Sequence, residues 1–372
     1  MDEESRFYSF NKIMKIPAAY RIIIGKRSNG KTYGWGRMCV DHYIDDGLPS
    51  AYIRRLDTQI TTGNIETLFN PHIKHIEKKT EGKWNGVVYR SSAFYFCRYA
   101  ENKAGNLVKT AQDTKPFCRC FAINTWETTK GADRGRVWSI CFDEFITNKF
   151  YLANEFKQFQ QLLSTIMRGR PAEIFMLANT ISKSCLYFRE MGLRHIRELN
   201  KGELDVYHIG KTSKLIAVEY SDNPGATEEV NDFFAFDNPE LKMITSGDWE
   251  IAMYRHAPEE MNRRGRILQN FYIEYDGLTL QGELRMYEKY PIIFFHPKTT
   301  EIKEREKQII FVEDQADGNP LHQVSMKCAT TRAHKIIRDL IIQRKTFFAD
   351  NETGENFASW AQQTQGVSRE VI

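Results

Sequence analysis

Short apolar runs alternate with longer amphipathic stretches through residues 20–180 of the chain. The runs at 21–24, 137–142 and 173–178 are apolar almost throughout, which is typical of strands that are buried on both faces. The segments 31–46 and 151–168 carry apolar residues at helical spacing. Buried strands separated by helices predict a mostly parallel α/β sheet.

Further elements of this region are predicted from shorter signals. Residues 51–53 are expected to form a second strand, and residues 58–78 are expected to be mostly helical. Aromatic and β-branched residues are concentrated at 87–98 and 117–124, which predicts two antiparallel strands on either side of a long polar loop at 99–116.

The pattern changes after about residue 200, where segment 200–247 is polar and mixed and predicts a linker or lid. Strands dominate afterwards, and Asp276-Gly277 predicts a hairpin turn between two of them. Residues 326–348 are expected to be helical and basic. The predicted strands of this part are 249–256, 269–275, 278–287 and 291–295. We therefore predict an N-terminal domain over 1–199, the linker, and a smaller α/β domain over 248–372.

One segment carries a chemical motif: residues 25–32 are Gly-Lys-Arg-Ser-Asn-Gly-Lys-Thr, directly after an apolar run, and they match G-x-x-x-x-G-K-[ST]. A loop of this kind wraps backbone N–H groups around phosphate oxygens, and its glycines allow conformations that a Cβ would forbid. Lys31 is expected to reach the β- and γ-phosphates, and the Thr32 hydroxyl to bind Mg²⁺. Arg27 either adds a guanidinium to the phosphates or faces solvent. The predicted nucleotide-binding residues are Gly25, Lys26, Arg27, Ser28, Asn29, Gly30, Lys31, Thr32 and Asn179.

A pair of acids follows the apolar run at 137–142. Asp143, at a strand end near a phosphate loop, is expected to complete the Mg²⁺ shell, and Glu144 is expected to activate the attacking water. A kinase of small molecules does not need that glutamate, so the pair favours hydrolysis over phosphoryl transfer. The alternative is a solvated acidic turn.

Two further polar residues are candidates through their positions. Asn179 ends the next apolar strand, where ligands gather in a parallel sheet, although a turn-forming Asn is equally common there. Arg168 lies at the end of the predicted helix 151–168, where it either stabilises transition-state charge, in cis or from a neighbouring subunit, or interacts with the helix C-terminus.

Composition restricts the function classes. The formal net charge is +4, from 52 basic and 48 acidic residues, so any contact with nucleic acid must be local. Seven cysteines without a C-x-x-C pair predict reduced thiols in a cytosolic compartment. We expect no signal peptide, because no apolar core follows the acidic start, and no membrane span, because no apolar stretch is long enough.

The region from Arg98 to Arg136 is a candidate for contact with a phosphate backbone, because its basic residues exceed its acidic ones. Lys103, Lys109 and Lys130 are our candidates for contact with DNA within it. A solvated surface is the alternative interpretation.

The order of these motifs resembles the genome-packaging ATPases of phi-29-like tailed bacteriophages over roughly residues 7–190. The motifs are the opening Phe7-Tyr8, the phosphate loop, Arg54-Arg55, Trp126-Glu-x-x-Lys130, Phe142-Asp-Glu-Phe-Ile146, Arg168-x-Arg170 and Leu177-Ala-Asn179. Residues 200–372 match weakly, chiefly around 277–280.

The resemblance implies a P-loop ATPase of the additional-strand, catalytic-glutamate type that uses ATP and Mg²⁺. It also implies a homopentameric ring on the portal of an empty procapsid, double-stranded DNA as the moving substrate, and in some cases a packaging RNA. Arg168 matches the finger that acts in trans, and Lys130 matches a lysine that lies toward the neighbouring subunit. We expect this protein in the host cytoplasm, transiently at the procapsid vertex.

The C-terminal domain of that family resembles an RNase H-type nuclease that has lost its metal-binding acids. Glu274, Asp276 and Glu283 lie on or between candidate strands here, but no acidic cluster follows them for two-metal chemistry. We therefore expect a vestigial domain without nuclease activity.

These features together predict an ATP-driven translocase of double-stranded DNA. Two alternatives stay open. A small-molecule or nucleoside kinase would share the phosphate loop without needing Glu144, and a nucleotide-gated scaffold would bind without turnover.

Overall fold

The computed structural model forms two compact units. The first consists of residues 1–146, 154–183 and 190–250, and the second of 147–153, 184–189 and 251–372. The residues that the structure describes are 7–129, 131, 135–180, 185–222, 254–258, 265–314, 317–328 and 330–368. The predicted boundary at residue 248 stays a prediction.

A ten-stranded sheet forms the centre of the first unit. Its spatial order is β3-β4-β6-β2-β7-β8-β1-β10-β9, with β5 paired to β4. The strands are β1 (Ala18–Gly25), β2 (Ser50–Arg54), β3 (Gly86–Arg90), β4 (Ala93–Glu101), β5 (Leu107–Gln112), β6 (Cys118–Ala122), β7 (Ser139–Asp143), β8 (Glu173–Asn179), β9 (Leu204–His208) and β10 (Leu215–Tyr220).

The middle of this sheet is parallel, from β6 through β2, β7, β8 and β1 to β10. Antiparallel strands flank it on both sides. The helices that connect or cover the strands are α1 (Lys31–Asp46), α2 (Thr62–Ile65), α3 (Ile73–Lys79) and α4 (Glu155–Met167). The predicted parallel α/β sheet is therefore confirmed.

Burial explains why the apolar runs form these central strands. All five residues of β7 are buried, and so are five of the seven residues of β8. Trp35 of α1 is fully buried and its Nε1 donates to Ser139 Oγ at 3.2 Å, which fixes α1 against β7.

The second unit contains a six-stranded sheet in the order β15-β14-β11-β12-β13-β16. These strands are β11 (Arg266–Tyr275), β12 (Leu278–Tyr287), β13 (Tyr290–Pro297), β14 (Ile309–Phe311), β15 (His322–Gln323) and β16 (Thr346–Phe348). Between β11 and β12, Asp276 (φ 52°) and Gly277 (φ 73°) both have left-handed backbone, which confirms the predicted hairpin turn.

Three further helices complete the described elements. A short helix, α5 (Leu186–Glu190), precedes two longer ones, α6 (Arg332–Ile342) and α7 (Asn351–Gln365). Ile337 of α6 and Trp360 of α7 belong to one apolar core with Phe271 and Phe295 of the sheet. The second unit therefore has its own core.

Several predicted elements are wrong in detail. Residues 58–78 are mostly helical, as predicted, but in short pieces: 3-10 turns, α2 and six residues of α3, with Pro71 in the turn that precedes α3. The predicted strand 87–98 is split by the turn at Ser91-Ser92, where both residues have positive φ. The polar loop 99–116 contains β5, which pairs with β4.

The predicted linker 200–247 is also corrected. Residues 204–208 and 215–220 are strands of the first sheet, where β10 pairs with β1 and β9 pairs with β10. The rest of the predicted linker from residue 223 lies outside the described residues, as does most of the predicted strand 249–256.

The segment 326–348 is only partly helical, since α6 ends at Ile342 and β16 follows. Helix α7 was not predicted.

Candidate functional site

The carboxyl ends of the central parallel strands meet at one edge of the first sheet. Gly25, the last residue of β1, lies opposite Asn179 of β8, and Asp143 of β7 lies opposite Leu177 of β8. The register therefore places the phosphate loop, the acidic pair and Asn179 along the same edge, as the sequence predicts.

The phosphate loop, residues 25–32, connects β1 to α1. Gly30 has φ +87° at the start of α1, and an added Cβ would lie 2.8 Å from the side chain of Phe7. At Gly25 a Cβ would lie 2.8 Å from Asn29 Nδ2. Both glycines are therefore required, Gly30 by backbone conformation and close approach, Gly25 by close approach alone. The N-terminus of α1 presents free N–H groups to this loop, which favours an anion.

Lys31 lies inside this loop with 6% of its surface exposed. Its Nζ donates to Gly25 O at 3.1 Å, Lys26 O at 2.8 Å and Asn29 Oδ1 at 2.9 Å, and lies 3.4 Å from Asn179 Oδ1. Burial lowers the pKa of Lys31 to about 7, and the charge of Asp143 opposes that shift. A triphosphate in the loop would supply anionic acceptors and favour the protonated form.

Asn29 is itself held in place. It is 1% exposed, and its Nδ2 donates to Ser221 Oγ at 2.8 Å, just beyond the carboxyl end of β10. Arg27 and Ser28, in contrast, are exposed. Asn29 therefore links Lys31 to the neighbouring strand, whereas Arg27 faces solvent.

Thr32 and Asp143 meet as predicted. Thr32 Oγ1 donates to Asp143 Oδ2 at 3.0 Å, and Tyr52 OH donates to the same oxygen at 2.8 Å. Two oxygens that share an octahedral Mg²⁺ at about 2.1 Å stand about 3 Å apart. A hydroxyl, one carboxylate and phosphate oxygens are ligands that suit Mg²⁺, so the residues present fit this ion.

Glu144 is half-exposed and has a left-handed backbone, with φ 56°. Its carboxylate forms an ion pair with Arg54, at the end of β2. Arg54 Nη1 also donates to Tyr52 OH at 3.3 Å and lies 4.0 Å from Asp143 Oδ2. Burial alone would lower the pKa of Arg54, but Tyr52, Glu144 and Asp143 raise it overall.

A second arginine that sequence reasoning left without a role supports the same turn. Arg55 is buried, and its Nε donates to both carboxylate oxygens of Glu155 at 3.1 and 2.9 Å. Its Nη2 donates to Phe145 O at 2.6 Å, and its Nη1 to Glu144 O at 3.3 Å. Arg55 therefore fixes the backbone that carries Glu144. The signal in the sequence was the pairing of Arg54-Arg55 and Asp143-Glu144, each directly after a buried strand.

A cavity of about 410 Å³ opens beside the acidic pair. Its lining includes Tyr52, Arg54, Gln59, Asn64, Asp143 and Glu144. Solvent-sized molecules can therefore reach the carboxylate of Glu144 from the β2 side.

Arg168 is not near the phosphate loop of its own chain. It is exposed and caps the C-terminus of α4, which has 13 residues, and it precedes the first residue of β8. A helix of that length spans about 20 Å, and it returns the chain to the edge of the sheet opposite the site. Within one chain, Arg168 and the phosphate loop therefore lie at opposite edges of the sheet.

The predicted DNA-contacting lysines lie apart from the site. Lys103 and Lys109 are exposed on the hairpin of β4 and β5. Five strand spacings separate β4 from β1, about 24 Å in all. Lys130 lies outside the described residues.

The three acids noted in the second unit have other roles. Glu274 forms an ion pair with Arg305, Glu283 accepts from Arg285 Nε at 2.7 Å, and Asp276 is in the hairpin turn. Among the residues that the structure describes, no group of three His, Cys, Asp or Glu side chains is arranged to hold a metal ion. None of the described helices is both long enough and apolar enough to cross a membrane.

Comparison with known proteins gives two kinds of similarity. The chain is 24% identical over 203 residues to the DNA packaging proteins of Bacillus phages PZA and phi29, a match that covers 54% of this chain and 53% of theirs. The structure is similar to the Phi-28 gp11 DNA packaging motor, with a TM-score of 0.55 and 16% identity over 96% of this chain and 98% of that one. No family model matches the chain.

The resemblance found in the sequence is therefore confirmed, and the structural likeness shows the fold. The match spans about half the length of the curated relatives.

Proposed function

We propose that this protein is an ATP-driven motor that packages a viral genome by moving double-stranded DNA into a procapsid. The observation that carries the proposal is the contact between Thr32 Oγ1 and Asp143 Oδ2 at 3.0 Å. It joins the phosphate loop to the acidic pair across the 111 residues that separate them in sequence. The DNA packaging proteins of phi29 and PZA support the choice of substrate.

Each residue of the site has a chemical role in this proposal. Lys31 and the loop amides hold the β- and γ-phosphates, and Asn179, near Lys31, senses the γ-phosphate. Thr32 and Asp143 hold Mg²⁺, which when bound neutralises phosphate charge. Glu144 accepts the proton of the attacking water.

The complete site requires a second copy of the chain. Arg168 lies at the far edge of its own sheet and is exposed, so we propose that it acts on the phosphates of a neighbouring subunit in trans. A head-to-tail contact of this kind generates a ring when the rotation between neighbouring subunits closes. In line with the resemblance, we propose a homopentamer on the portal, with a packaging RNA as a further candidate partner, in the host cytoplasm.

Contact with DNA is assigned to exposed basic residues. The β4–β5 hairpin carries Lys103 and Lys109 away from the nucleotide site, in a position to bind phosphates of a duplex. Lys130 is proposed on sequence grounds alone.

The second unit is proposed to be an RNase H-like domain without nuclease activity. A mixed sheet covered by α6 and α7 supports the fold assignment. The engagement of Glu274 and Glu283 with Arg305 and Arg285 supports the loss of metal binding.

The test is ATP hydrolysis by the purified protein with empty capsids, with and without double-stranded DNA. Wild-type protein should show hydrolysis stimulated by DNA. Glu144→Gln should abolish turnover while ATP still binds, and Lys157→Ala, an exposed site on α4, should behave as wild type.

The same assay separates the alternatives. Phosphate transfer to a nucleoside or another small acceptor without capsids would support a kinase instead. ATP binding without turnover under every condition would support a scaffold.

A further inference from the structure

Two aromatic side chains lie beside the phosphate loop, and the proposed chemistry does not use them. Phe7 and Tyr33 are each 41% exposed. Their ring centroids are 6.1 Å apart, and the ring planes are inclined by 34°. The two tilted rings form one exposed aromatic patch in a protein that buries most of its other aromatic residues.

Both residues adjoin the phosphate loop, Tyr33 in sequence and Phe7 by packing. Tyr33 follows Thr32 in the first turn of α1. Phe7 packs so closely on Gly30 that a Cβ there would lie 2.8 Å from it. A ligand whose phosphates occupy the loop therefore reaches these rings without leaving the surface of the first unit.

The side of the loop on which they lie is also defined. The acidic pair follows β7, so the γ-phosphate end of a nucleotide points toward β7 and β8. Tyr8, next to Phe7, donates from its OH to Glu219 Oε2 at 2.7 Å and from its N–H to Asn29 O at 2.7 Å. Glu219 is on β10, which flanks β1 on the side away from β8. The segment that carries Phe7 therefore lies at the nucleoside end of the loop.

The ring of Tyr33 packs on the ring of His72, which holds it in position. Its ring lies 4.5 Å from the ring of His72, inclined by 35°, and His72 is 1% exposed. Burial lowers the pKa of His72 to about 4, so this supporting ring is uncharged at neutral pH. A ring that is already fixed loses little conformational freedom when a ligand stacks on it.

We propose that Phe7 and Tyr33 form a platform on which the base of the bound nucleoside triphosphate stacks. This inference rests on the proposed nucleotide site and assigns the base-binding part of it. Stacking depends on the π-face of the side chain rather than on hydrogen bonds. The platform is therefore selective for the presence of a base, and it contributes nothing to the binding of phosphates alone.

The test compares two ligands by titration calorimetry on the full chain, MgATP and magnesium tripolyphosphate. The variants Phe7→Leu and Tyr33→Leu keep apolar bulk but lose the ring, whereas Phe7→Tyr and Tyr33→Phe keep it. We expect each Leu variant to bind MgATP about 5- to 100-fold more weakly than wild type. Tripolyphosphate binding should change less than about twofold, and the ring-retaining variants should match wild type for both ligands.

Unchanged MgATP affinity in both Leu variants would overturn the platform. Equal losses for MgATP and tripolyphosphate would also overturn it, because the rings would then act on the loop rather than on a base. If wild-type protein binds neither ligand, the proposed nucleotide site itself is wrong, and that failure is distinguishable because tripolyphosphate reports on the phosphate loop alone.

Discussion

Arg54 and Glu144 form an ion pair across the carboxyl ends of two adjacent strands, β2 and β7. The glutamate that is proposed to accept a proton from water is thereby paired with a guanidinium. The charge-assisted contact holds the carboxylate in one orientation, toward Arg54. The same guanidinium contacts Tyr52, which also binds Asp143. Arg54 therefore connects the metal-binding acid to the proposed general base.

Arg54→Ala should release Glu144 and raise the rate of ATP hydrolysis measured without DNA, by about two- to tenfold. Arg54→Lys keeps a positive charge at the position and should stay closer to the wild-type rate. Steady-state phosphate release from the purified protein measures both. A rate in the Ala variant equal to or below that of the Lys variant would show that the ion pair does not restrain Glu144.

Thr32→Val should remove the hydroxyl that contacts Asp143 while preserving the shape of the side chain. Because that oxygen is a proposed ligand of Mg²⁺, we expect hydrolysis to fall about 100-fold or more, with a higher Mg²⁺ requirement for the remaining rate.

Thr32→Ser is the matched control, since it retains the oxygen and loses only a methyl group. Hydrolysis rates measured across a magnesium titration should therefore be close to wild type for Ser and strongly reduced for Val. Equal losses in the two variants would assign the effect to packing of the first turn of α1 rather than to the metal.

The phosphate loop and the acidic pair could be predicted because each is a local signal. The loop 25–32 begins at the last residue of an apolar strand, and Asp143-Glu144 begins at the last residue of another. The parallel-sheet rule alone brings such strand ends together. The contacts of Arg54 and Arg55 depend on β2 lying beside β7. The local pattern of the sequence does not reveal that strand order. Such partners are found only when the sheet topology is known.

The missed elements have physical reasons of their own. Helix α7 buries polar residues such as Gln362 and Gln365, which bind backbone carbonyls instead of solvent. Its apolar stripe is confined to Phe357, Ala358, Trp360 and Ala361, so the periodic signal that predicts a helix is weak. β5 is largely exposed on both faces and is held mainly by its ladder to β4, so no alternation of apolar and polar residues marks it.

Arg55→Met should destabilise the first unit, because the fully buried carboxylate of Glu155 loses the guanidinium whose Nε donates to both of its oxygens. Removal of one member of a buried pair costs about 3–5 kcal/mol. Urea unfolding followed by circular dichroism measures the change.

The double variant Arg55→Met with Glu155→Leu removes both charges and should recover part of that loss. If the losses in the free energy of unfolding of the two single variants simply added up in the double variant, Arg55 and Glu155 would not be coupled. Arg55 would then support the turn after Glu144 only through its other contacts.

The stability of the protein should depend on pH through Lys31. Its pKa is about 7 in the folded chain and about 10.4 in an unfolded one. Between these values the unfolded chain binds more protons at this site, so the free energy of unfolding rises with pH. Burial of the protonated Lys31 lowers the free energy of unfolding by its full amount below about pH 7. This destabilisation has disappeared above about pH 10.4.

Relative to Lys31→Met, wild-type protein should therefore gain about 2 kcal/mol between about pH 7 and about pH 9. Lys157→Met changes an exposed lysine and should follow wild type. A saturating concentration of MgATP should abolish the gain, because bound phosphates favour the charged lysine at both pH values. A gain that persists unchanged with MgATP would mean that the ligand does not reach Lys31.

Arg168→Ala and Glu144→Gln should each lower hydrolysis by about 10³-fold or more while MgATP still binds. The two defects belong to different subunits if Arg168 acts in trans. In a mixed ring, a Glu144→Gln subunit still supplies Arg168, and an Arg168→Ala subunit still supplies Glu144. An equal mixture of the two inactive proteins should therefore regain activity.

With random assembly, about a quarter of the interfaces in such a ring join an intact Arg168 to an intact Glu144, so the regained rate should approach about a quarter of wild type. Phosphate release from the mixture, with each variant alone as the reference, measures it. A double variant carrying both changes, mixed with either single variant, should regain nothing, because no interface then combines both intact residues. A mixture of the two single variants that stays inactive would place Arg168 outside the catalytic site of the neighbouring subunit, and its exposed position at the end of α4 would then serve only as a helix cap.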